Sequence, residues 1–197
     1  MFLPRDFGEF CLGCTTCFTK REQDCPHYEK LRPITELIDS ADVVILTSPV
    51  YCYHVTGQMK ALLDHYGYRW MAHRPDARMF RKQAVVVSTA AGAGVKSTMK
   101  DMADSCFFWG IPQTYKLGRP VAATDWDGVK PELKDKINAE AEKIVKKICK
   151  REKKVPVGIK TRAFFKIMGL MQRNGWNPAD ADYWKAKGWT GSARPWR

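Results

Sequence analysis

Two short β-branched runs, each followed by a loop and then a helical pattern, most constrain what this chain can fold into. The first run covers 43–46 and reads Val-Val-Ile-Leu, and the second covers 84–87 and reads Ala-Val-Val-Val. Apolar runs of this length are typical of strands buried in a parallel sheet. Helical patterns follow at 57–65 and 95–109. Strands that alternate with helices predict an α/β domain with a mostly parallel sheet.

Further elements are predicted on either side of this pair. An amphipathic helix ends near Ser40, because apolar residues before it recur at helical spacing. A weaker strand covers 113–117, and the Gly-Arg-Pro sequence at 118–120 is predicted to break it. A long charged helix covers 131–153 and begins at a proline, which is favoured in the first turn of a helix.

The composition changes near the end of the chain. We predict a main domain at 1–155, which includes a cysteine-rich loop at about 11–25, and a helical, tryptophan-rich extension at 156–197. The apolar helix of this extension could cover the sheet, pair with a second subunit or touch a membrane surface. We favour an arm or lid that meets a second subunit. A homodimer or a higher homo-oligomer is therefore expected.

Charge and apolar content exclude several classes of protein. The formal net charge is +12, which would suit nucleic acid, an acidic partner or an anionic cofactor. No nucleic-acid-binding motif accompanies the charge, so no nucleic-acid role is predicted. No apolar run approaches the roughly 20 residues of a membrane span. The first residues lack the features of a signal peptide, so the seven cysteines are expected in a reducing cytoplasm.

A compact cysteine motif occupies the loop at 11–25, which we call the Cys loop. Its four cysteines are Cys11, Cys14, Cys17 and Cys25. Short, even spacing lets one loop direct three thiolates at a small cluster, and a fourth from a longer loop can complete the coordination. This pattern favours a [4Fe–4S] cluster. Zinc, which usually takes paired cysteines separated by a longer run, and a loop without metal are the alternatives.

Two loops follow the predicted strands, at the edge where α/β sheets bind ligands. The first, 48–57, offers polar and aromatic groups that suit a planar ligand with polar edges. They are Ser48, Tyr51, Tyr53, His54 and Thr56, around Pro49. The second, 88–94, consists of small residues whose backbone N–H groups can approach ring atoms. Together the two loops predict a ligand-binding edge.

The segments around these loops resemble a known family. The run 42–51, continued by 55–60 and Asp64, looks like the flavodoxin-like NADPH-dependent FMN reductases. The loop 88–94, followed by Lys-Ser-Thr at 96–98, is similar to the second flavin-contacting loop of that family. The cysteine motif is similar to that of the iron–sulfur flavoproteins, a branch of the same superfamily.

This resemblance implies a flavodoxin-like three-layer sandwich and FMN at the strand ends. The implied flavin-binding residues are Ser48, Pro49, Val50, Tyr51, Thr89, Gly92 and Gly94. It also implies a [4Fe–4S] cluster on the four cysteines of the Cys loop, placed to exchange electrons with the flavin. NAD(P)H would donate electrons, and a small molecule or a ferredoxin-like carrier would exchange them. No acid–base catalytic residue is expected.

The start of the chain departs from the family pattern. The family begins with a buried strand and a Gly-Ser-rich loop that cradles the FMN phosphate, yet only ten residues precede Cys11. We expect the sheet to lack its first strand and an apolar edge to be exposed. A truncated or misassigned start is the favoured explanation. Lys82 and Arg119 are candidates to replace the missing phosphate site.

Two other functions stay open at this point. The chain could be an FMN or quinone reductase without a cluster, in which the Cys loop binds zinc or nothing. It could also be a non-enzymatic metal-binding interaction module whose incomplete sheet holds no flavin.

Overall fold

The computed structural model describes the whole chain, residues 1–197, and its centre is a parallel sheet of three strands. These are β1 (Val43–Thr47), β2 (Gln83–Ala90) and β3 (Gln113–Pro120), in the spatial order β1-β2-β3. Both neighbouring pairs are parallel. In their register, Val44 lies beside Ala84 and Val85 lies beside Tyr115. The predicted α/β class with a parallel sheet is confirmed.

The third strand is longer than the sequence predicted. It continues through Gly118 and Arg119 to Pro120, where a break was expected. A Cβ at Gly118 would lie 2.4 Å from Val95 Cγ1 and 2.7 Å from Met99 Sδ. The glycine therefore allows close packing of a helix on the strand rather than ending the strand.

Seven α-helices surround the sheet, and three short 3-10 helices lie at Glu22–Asp24, Gly67–Arg69 and Ala77–Arg81. The α-helices are α1 (Thr16–Thr19), α2 (Tyr28–Ser40), α3 (Gly57–His65), α4 (Val95–Phe108), α5 (Pro131–Lys150), α6 (Ile159–Arg173) and α7 (Pro178–Ala186). The predicted bounds of α3 are confirmed, and those of α4 differ by one residue. Helix α5 ends at Lys150, three residues earlier than predicted.

Helices lie on both faces of the sheet. Apolar residues of α2, α3 and α4 form one core with buried residues of β1 and β2. On β3, Gly118 contacts α4, whereas Tyr115 hydrogen-bonds to Arg151, which directly follows α5. Since side chains three residues apart on a strand point to opposite faces, α4 and α5 cover opposite faces. This layering agrees with the three-layer sandwich.

The outer edge of β1 is open. No strand precedes β1, as predicted, and this strand pairs only with β2. Val44 and Leu46 are buried, but Ile45 is 61% exposed. A largely apolar groove of about 550 Å³ follows this edge, lined in part by Ile34 and Leu62.

The C-terminal helices pack on the chain's own middle segment. Phe165 and Met168 of α6 and Trp184 of α7 form a second core with Met71 and Phe80, which precede β2. Each of these five side chains is at least nine-tenths buried. The predicted arm therefore folds back onto its own chain, and the oligomeric state stays a prediction. None of the helices is both long and apolar enough to cross a membrane.

Candidate functional site

The first predicted loop is closed by hydrogen bonds at its base. Ser48 is buried, and its hydroxyl accepts a hydrogen bond from the Thr56 N–H at 3.0 Å and donates to the Pro49 carbonyl at 2.9 Å. Thr56 then caps α3, because its hydroxyl accepts from the Met59 N–H at 3.2 Å. The side chain of Ser48 therefore fixes the path of the loop, whatever the loop binds.

The tip of this loop is a tight two-residue turn. The backbones of Tyr51 and His54 exchange two hydrogen bonds, both of 3.0 Å. The two residues between them, Cys52 and Tyr53, have φ angles of 50° and 66°. Positive φ at both central positions is the pattern of a type I′ turn, which usually selects asparagine and glycine. Tyr51 and Tyr53 are 59% and 64% exposed, so the strained turn presents two aromatic rings.

The second predicted loop contacts the first directly. The Val50 N–H donates to the Thr89 carbonyl at 2.9 Å, and the Ser97 hydroxyl donates to the Tyr53 carbonyl. Gly94 has a φ of 91°, and a Cβ there would lie 2.5 Å from Val50 Cγ1. The close approach therefore requires glycine. The structure thus joins the two loops into one edge, which we call the paired-loop edge.

An acidic residue that the sequence analysis missed also holds this edge together. The Oδ2 atom of Asp101, in α4, is 3.0 Å from His54 Nδ1. It also accepts a hydrogen bond from the Val55 N–H at 3.3 Å. The contact ties the first loop to the helix that follows the second loop. No local pattern marks Asp101, because its partners are 46 and 47 residues away in the chain.

A recess next to the paired-loop edge contains an unpartnered hydroxyl. Ser88 is 1% exposed, and its Oγ has no hydrogen-bond partner. It lines a cavity of about 350 Å³ together with Thr89, Arg119 and Trp126. A buried polar atom without a partner is unusual and fits a place that a polar ligand group can enter.

The two proposed substitutes for a phosphate site differ in position. Lys82 directly precedes β2 and donates to the Asp39 carbonyl at 2.9 Å, so it lies at the amino end of the sheet. The second loop begins at Ser88, six residues further along the strand, which places Lys82 roughly 20 Å away and excludes it as a phosphate ligand there. Arg119 lies at the carboxyl end of β3, where it pairs with Glu140. The two loops themselves contain no lysine or arginine.

The residues of the paired-loop edge fit the ring of a flavin better than its phosphate. Val50, Thr89 and Gly94 meet within hydrogen-bond or van der Waals distance, beside Pro49 and Tyr51. Gly92 is exposed, and nothing lies within 4 Å of a Cβ placed on it. The small residues of the second loop therefore leave open space for a planar group. The roles of these residues as flavin ligands stay predictions.

The cysteines of the Cys loop are close enough for three of them to affect the pKa of the fourth, Cys17. Burial, reinforced by the charges of Cys25, Cys11 and Cys14, raises the pKa of Cys17 to about 11. A hydrogen bond from Thr16 instead lowers the pKa of the exposed Cys14.

The backbone of the Cys loop is strongly curved. Gly13 and Thr15 have φ angles of 65° and 57°, so the chain folds tightly between the first cysteines. Glycine adopts such a positive φ without steric strain, which suits Gly13 to this position. The four thiols have the donor chemistry of an iron–sulfur ligand set. No group of three or more potential ligands is arranged to hold a single metal ion.

The Cys loop and the paired-loop edge lie at opposite ends of α3. Phe18 packs against Gly67, where an added Cβ would lie 3.1 Å from its ring, and this contact follows the end of α3 at His65. The first loop of the paired-loop edge instead leads into α3 at Gly57. Nine residues of α-helix span about 13 Å. The structure therefore separates the two predicted sites along one helix.

The sequence of this chain is similar to those of known flavin proteins. A family model described as NADPH-dependent FMN reductase matches residues 3–120. An iron-sulfur flavoprotein of Archaeoglobus fulgidus is 29% identical over 185 residues, which cover 91% of this chain and 79% of that protein. An iron-sulfur flavoprotein of Methanocaldococcus jannaschii is 44% identical over 55 residues, or 28% of this chain and 27% of that protein.

Solved structures of two flavin enzymes also align with the chain. An NADH:FMN oxidoreductase in its apo form matches with a TM-score of 0.45 and 20% identity, over 57% of each chain. An FMN-dependent NADH-azoreductase from Bacillus anthracis matches with a TM-score of 0.40 and 15% identity, over 58% of this chain and 61% of that chain.

Proposed function

This chain belongs to the NADPH-dependent FMN reductase family and is an FMN-containing oxidoreductase, and we propose that it couples its FMN to a [4Fe–4S] cluster on the Cys loop. FMN exchanges a hydride or single electrons when bound, and an iron–sulfur cluster exchanges single electrons. The proposed reaction therefore converts between hydride donors and one-electron carriers.

The observation that carries the flavin part is the contact between the two loops. Val50, Thr89 and Gly94 join the loops at the carboxyl ends of β1 and β2, where open α/β sheets bind ligands. In the proposal, Pro49, Val50 and Tyr51 cover one side of the flavin ring. The backbone of the second loop donates to the polar edge of the ring.

The cluster part rests on the spacing of the four cysteines in the sequence and on the influence of the other three on the pKa of Cys17. Burial and the charges of the other three cysteines raise the pKa of Cys17, so its thiolate form is disfavoured until a cation offsets those charges. A ligand thiol must lose its proton when it binds metal. The name of the A. fulgidus relative, an iron-sulfur flavoprotein, supports the same proposal.

The protein's own residues bind and orient rather than transfer protons in this proposal. Ser48 and Asp101 hold the first loop in place, and Gly94 allows the second loop to approach it. NAD(P)H is the proposed electron donor. A small electrophile or a ferredoxin-like carrier is the proposed acceptor, and the net charge of +12 would favour an acidic carrier.

The setting of this chemistry is part of the proposal. All seven cysteines are free thiols, which suits a reducing cytoplasm. We also propose that the chain works as a homo-oligomer, because β1 leaves an apolar edge open.

A flavin titration tests the first part of the proposal. FMN is added to the purified protein and its fluorescence is followed, and NADPH is then added to the complex under anaerobic conditions. We expect saturable quenching followed by loss of the flavin absorption bands. Fluorescence that is unchanged by excess protein would contradict the proposal and favour a module that binds no flavin.

A further inference from the structure

The Cys loop is held in place by side chains that are distant in the sequence. Arg74 donates to the Lys20 carbonyl at 2.9 Å and also to the Cys17 carbonyl. Asn177, which precedes α7, donates to the Phe18 carbonyl at 3.1 Å. Three carbonyl groups at the end of α1 thus accept hydrogen bonds from two side chains outside the loop.

These hydrogen bonds compensate for the shortness of α1. The helix has four residues and no buried side chain, so it has no core of its own. The last four carbonyl groups of any helix lack partners within the helix. Arg74 and Asn177 supply such partners from outside, which fixes the position of Cys17 within the loop.

One buried acid connects the two residues that hold the loop. Asp180 of α7 is fully buried, and its Oδ2 accepts from Asn177 Nδ2 at 2.9 Å and lies 2.7 Å from His73 Nδ1. Its Oδ1 lies 3.8 Å from Arg74 Nε, which has no hydrogen-bond partner. The Arg74 side chain is only 9% exposed, so both charges are removed from water together.

The ring of His73 completes this arrangement. It packs edge-on against Phe18 with ring centroids 4.7 Å apart, and Trp176 stacks on it at 6.0 Å. Trp184 of α7 donates its indole N–H to the His73 carbonyl. Two tryptophans of the C-terminal extension therefore contact His73, which in turn contacts Phe18 of the Cys loop.

We propose that Asp180 is a positioning residue for the Cys loop, acting through Arg74 and Asn177 on the backbone of Cys17, Phe18 and Lys20. The C-terminal extension then serves as a support for the redox loop within its own chain. This inference rests on the proposed function, because the Cys loop needs support of this kind for a ligand set.

Asp180→Asn is the direct test, because it keeps the size of the side chain and removes its charge. Asp182→Asn is the matched control, since Asp182 lies on the same helix and is exposed. In metal-free protein, alkylation of Cys17 is followed by peptide mass spectrometry. We expect a rate increase of about tenfold for Asp180→Asn, because weakening one buried polar contact promotes local opening. The control should match the wild type.

Two further measurements separate positioning from mere folding. After iron reconstitution, the reduced cluster of Asp180→Asn should show an altered electron paramagnetic resonance spectrum and a shifted midpoint potential. Its FMN affinity should stay unchanged. If Asp180→Asn does not fold, Asn177→Ala and Arg74→Lys remove individual hydrogen bonds to the loop and should each accelerate the alkylation of Cys17.

The outcomes distinguish this inference from the proposed function. Unchanged alkylation of Cys17 and an unchanged cluster spectrum, despite lower thermal stability, would overturn the positioning role. A wild-type chain that binds no iron would overturn the cluster proposal. The alkylation result would still decide whether Asp180 supports the loop, because that measurement uses metal-free protein.

Discussion

The paired-loop edge and the Cys loop are built in different ways. The paired-loop edge follows directly from the sheet, since its loops continue β1 and β2 and meet through backbone hydrogen bonds and a glycine. The Cys loop contains only two very short helices, α1 and the 3-10 helix Glu22–Asp24, and side chains up to 159 residues away hold it. The paired-loop edge is therefore built directly on the central sheet, whereas the Cys loop depends on the C-terminal extension.

This difference implies that the two sites can be perturbed separately. Changes in the C-terminal core should loosen the Cys loop and leave flavin binding intact. Changes at the contact between the two loops should do the reverse.

Trp184→Ala removes the largest fully buried side chain of the C-terminal core. Trp184 packs on Phe165 with ring centroids 4.6 Å apart. We expect the free energy of unfolding, measured by urea denaturation, to fall by about 3–5 kcal/mol. Alkylation of Cys17 should accelerate while FMN still binds. Loss of FMN binding with Cys17 still protected would contradict the separation of the two sites.

Gly94→Ala should damage the paired-loop edge instead. The new Cβ would collide with Val50, and the φ of 91° would be strained. We expect a stability loss of about 1–3 kcal/mol by thermal denaturation and weaker FMN binding. Gly57→Ala is the stability control, because nothing lies within 4 Å of a Cβ there. Equal effects of the two substitutions on stability would show that the close approach is not required.

The acid stability of the segment before β2 provides a third test. Burial alone would raise the pKa of Asp76, but hydrogen bonds from Arg78 and the charge of Arg69 lower it to about 2. A depressed pKa contributes stability above the unfolded value of 3.8, and this contribution is lost as the pH falls towards 2. Asp76→Asn should therefore cost about 1 kcal/mol at pH 7, after solvent screening, and almost nothing near pH 2.

Urea denaturation of both proteins across this pH range checks the prediction. The midpoint difference between wild type and Asp76→Asn should shrink only below about pH 4. A difference that stays constant with pH would show that Asp76 acts through packing rather than charge.

The smallest expected effect concerns the turn at Cys52 and Tyr53. Replacing them by asparagine and glycine, as Cys52→Asn with Tyr53→Gly, suits the positive φ angles. We expect a gain of about 0.5–1 kcal/mol by thermal denaturation. The FMN affinity should fall, because one exposed ring is removed from the paired-loop edge. A stability loss would show that the turn is not strained.

The local parts of this fold could be predicted from the sequence. Apolar runs and helical spacing predicted β1, the presence of β2 and the bounds of α3, because these patterns depend on neighbouring residues. The predicted end of β2 at 87 was wrong, since the strand pairs with β3 as far as Ala90 and so includes the first three residues of the predicted loop 88–94. The predicted end of β3 at 117 was wrong. Gly118 allows α4 to pack closely on the strand, and no local sequence pattern reveals that contact.

The supports of the two sites could not be predicted in the same way. Asp101, Arg74 and Asp180 each contact at least one partner that lies 46 or more residues away in the chain. Lys82 was a plausible phosphate ligand by charge alone, but its position at the amino end of β2 depends on the complete sheet. The cysteine motif indicated a ligand set from spacing, yet the residues that hold it appear only in the folded chain.

The most direct test of the central claim is the iron, acid-labile sulfide and flavin content of anaerobically purified protein, with visible spectra before and after dithionite. We predict about four irons and about four sulfides per chain beside bound FMN, with absorption that bleaches on reduction. Cys17→Ser should lower the iron content and leave the flavin bands. Flavin bands with stoichiometric zinc, or without any metal, would contradict the account.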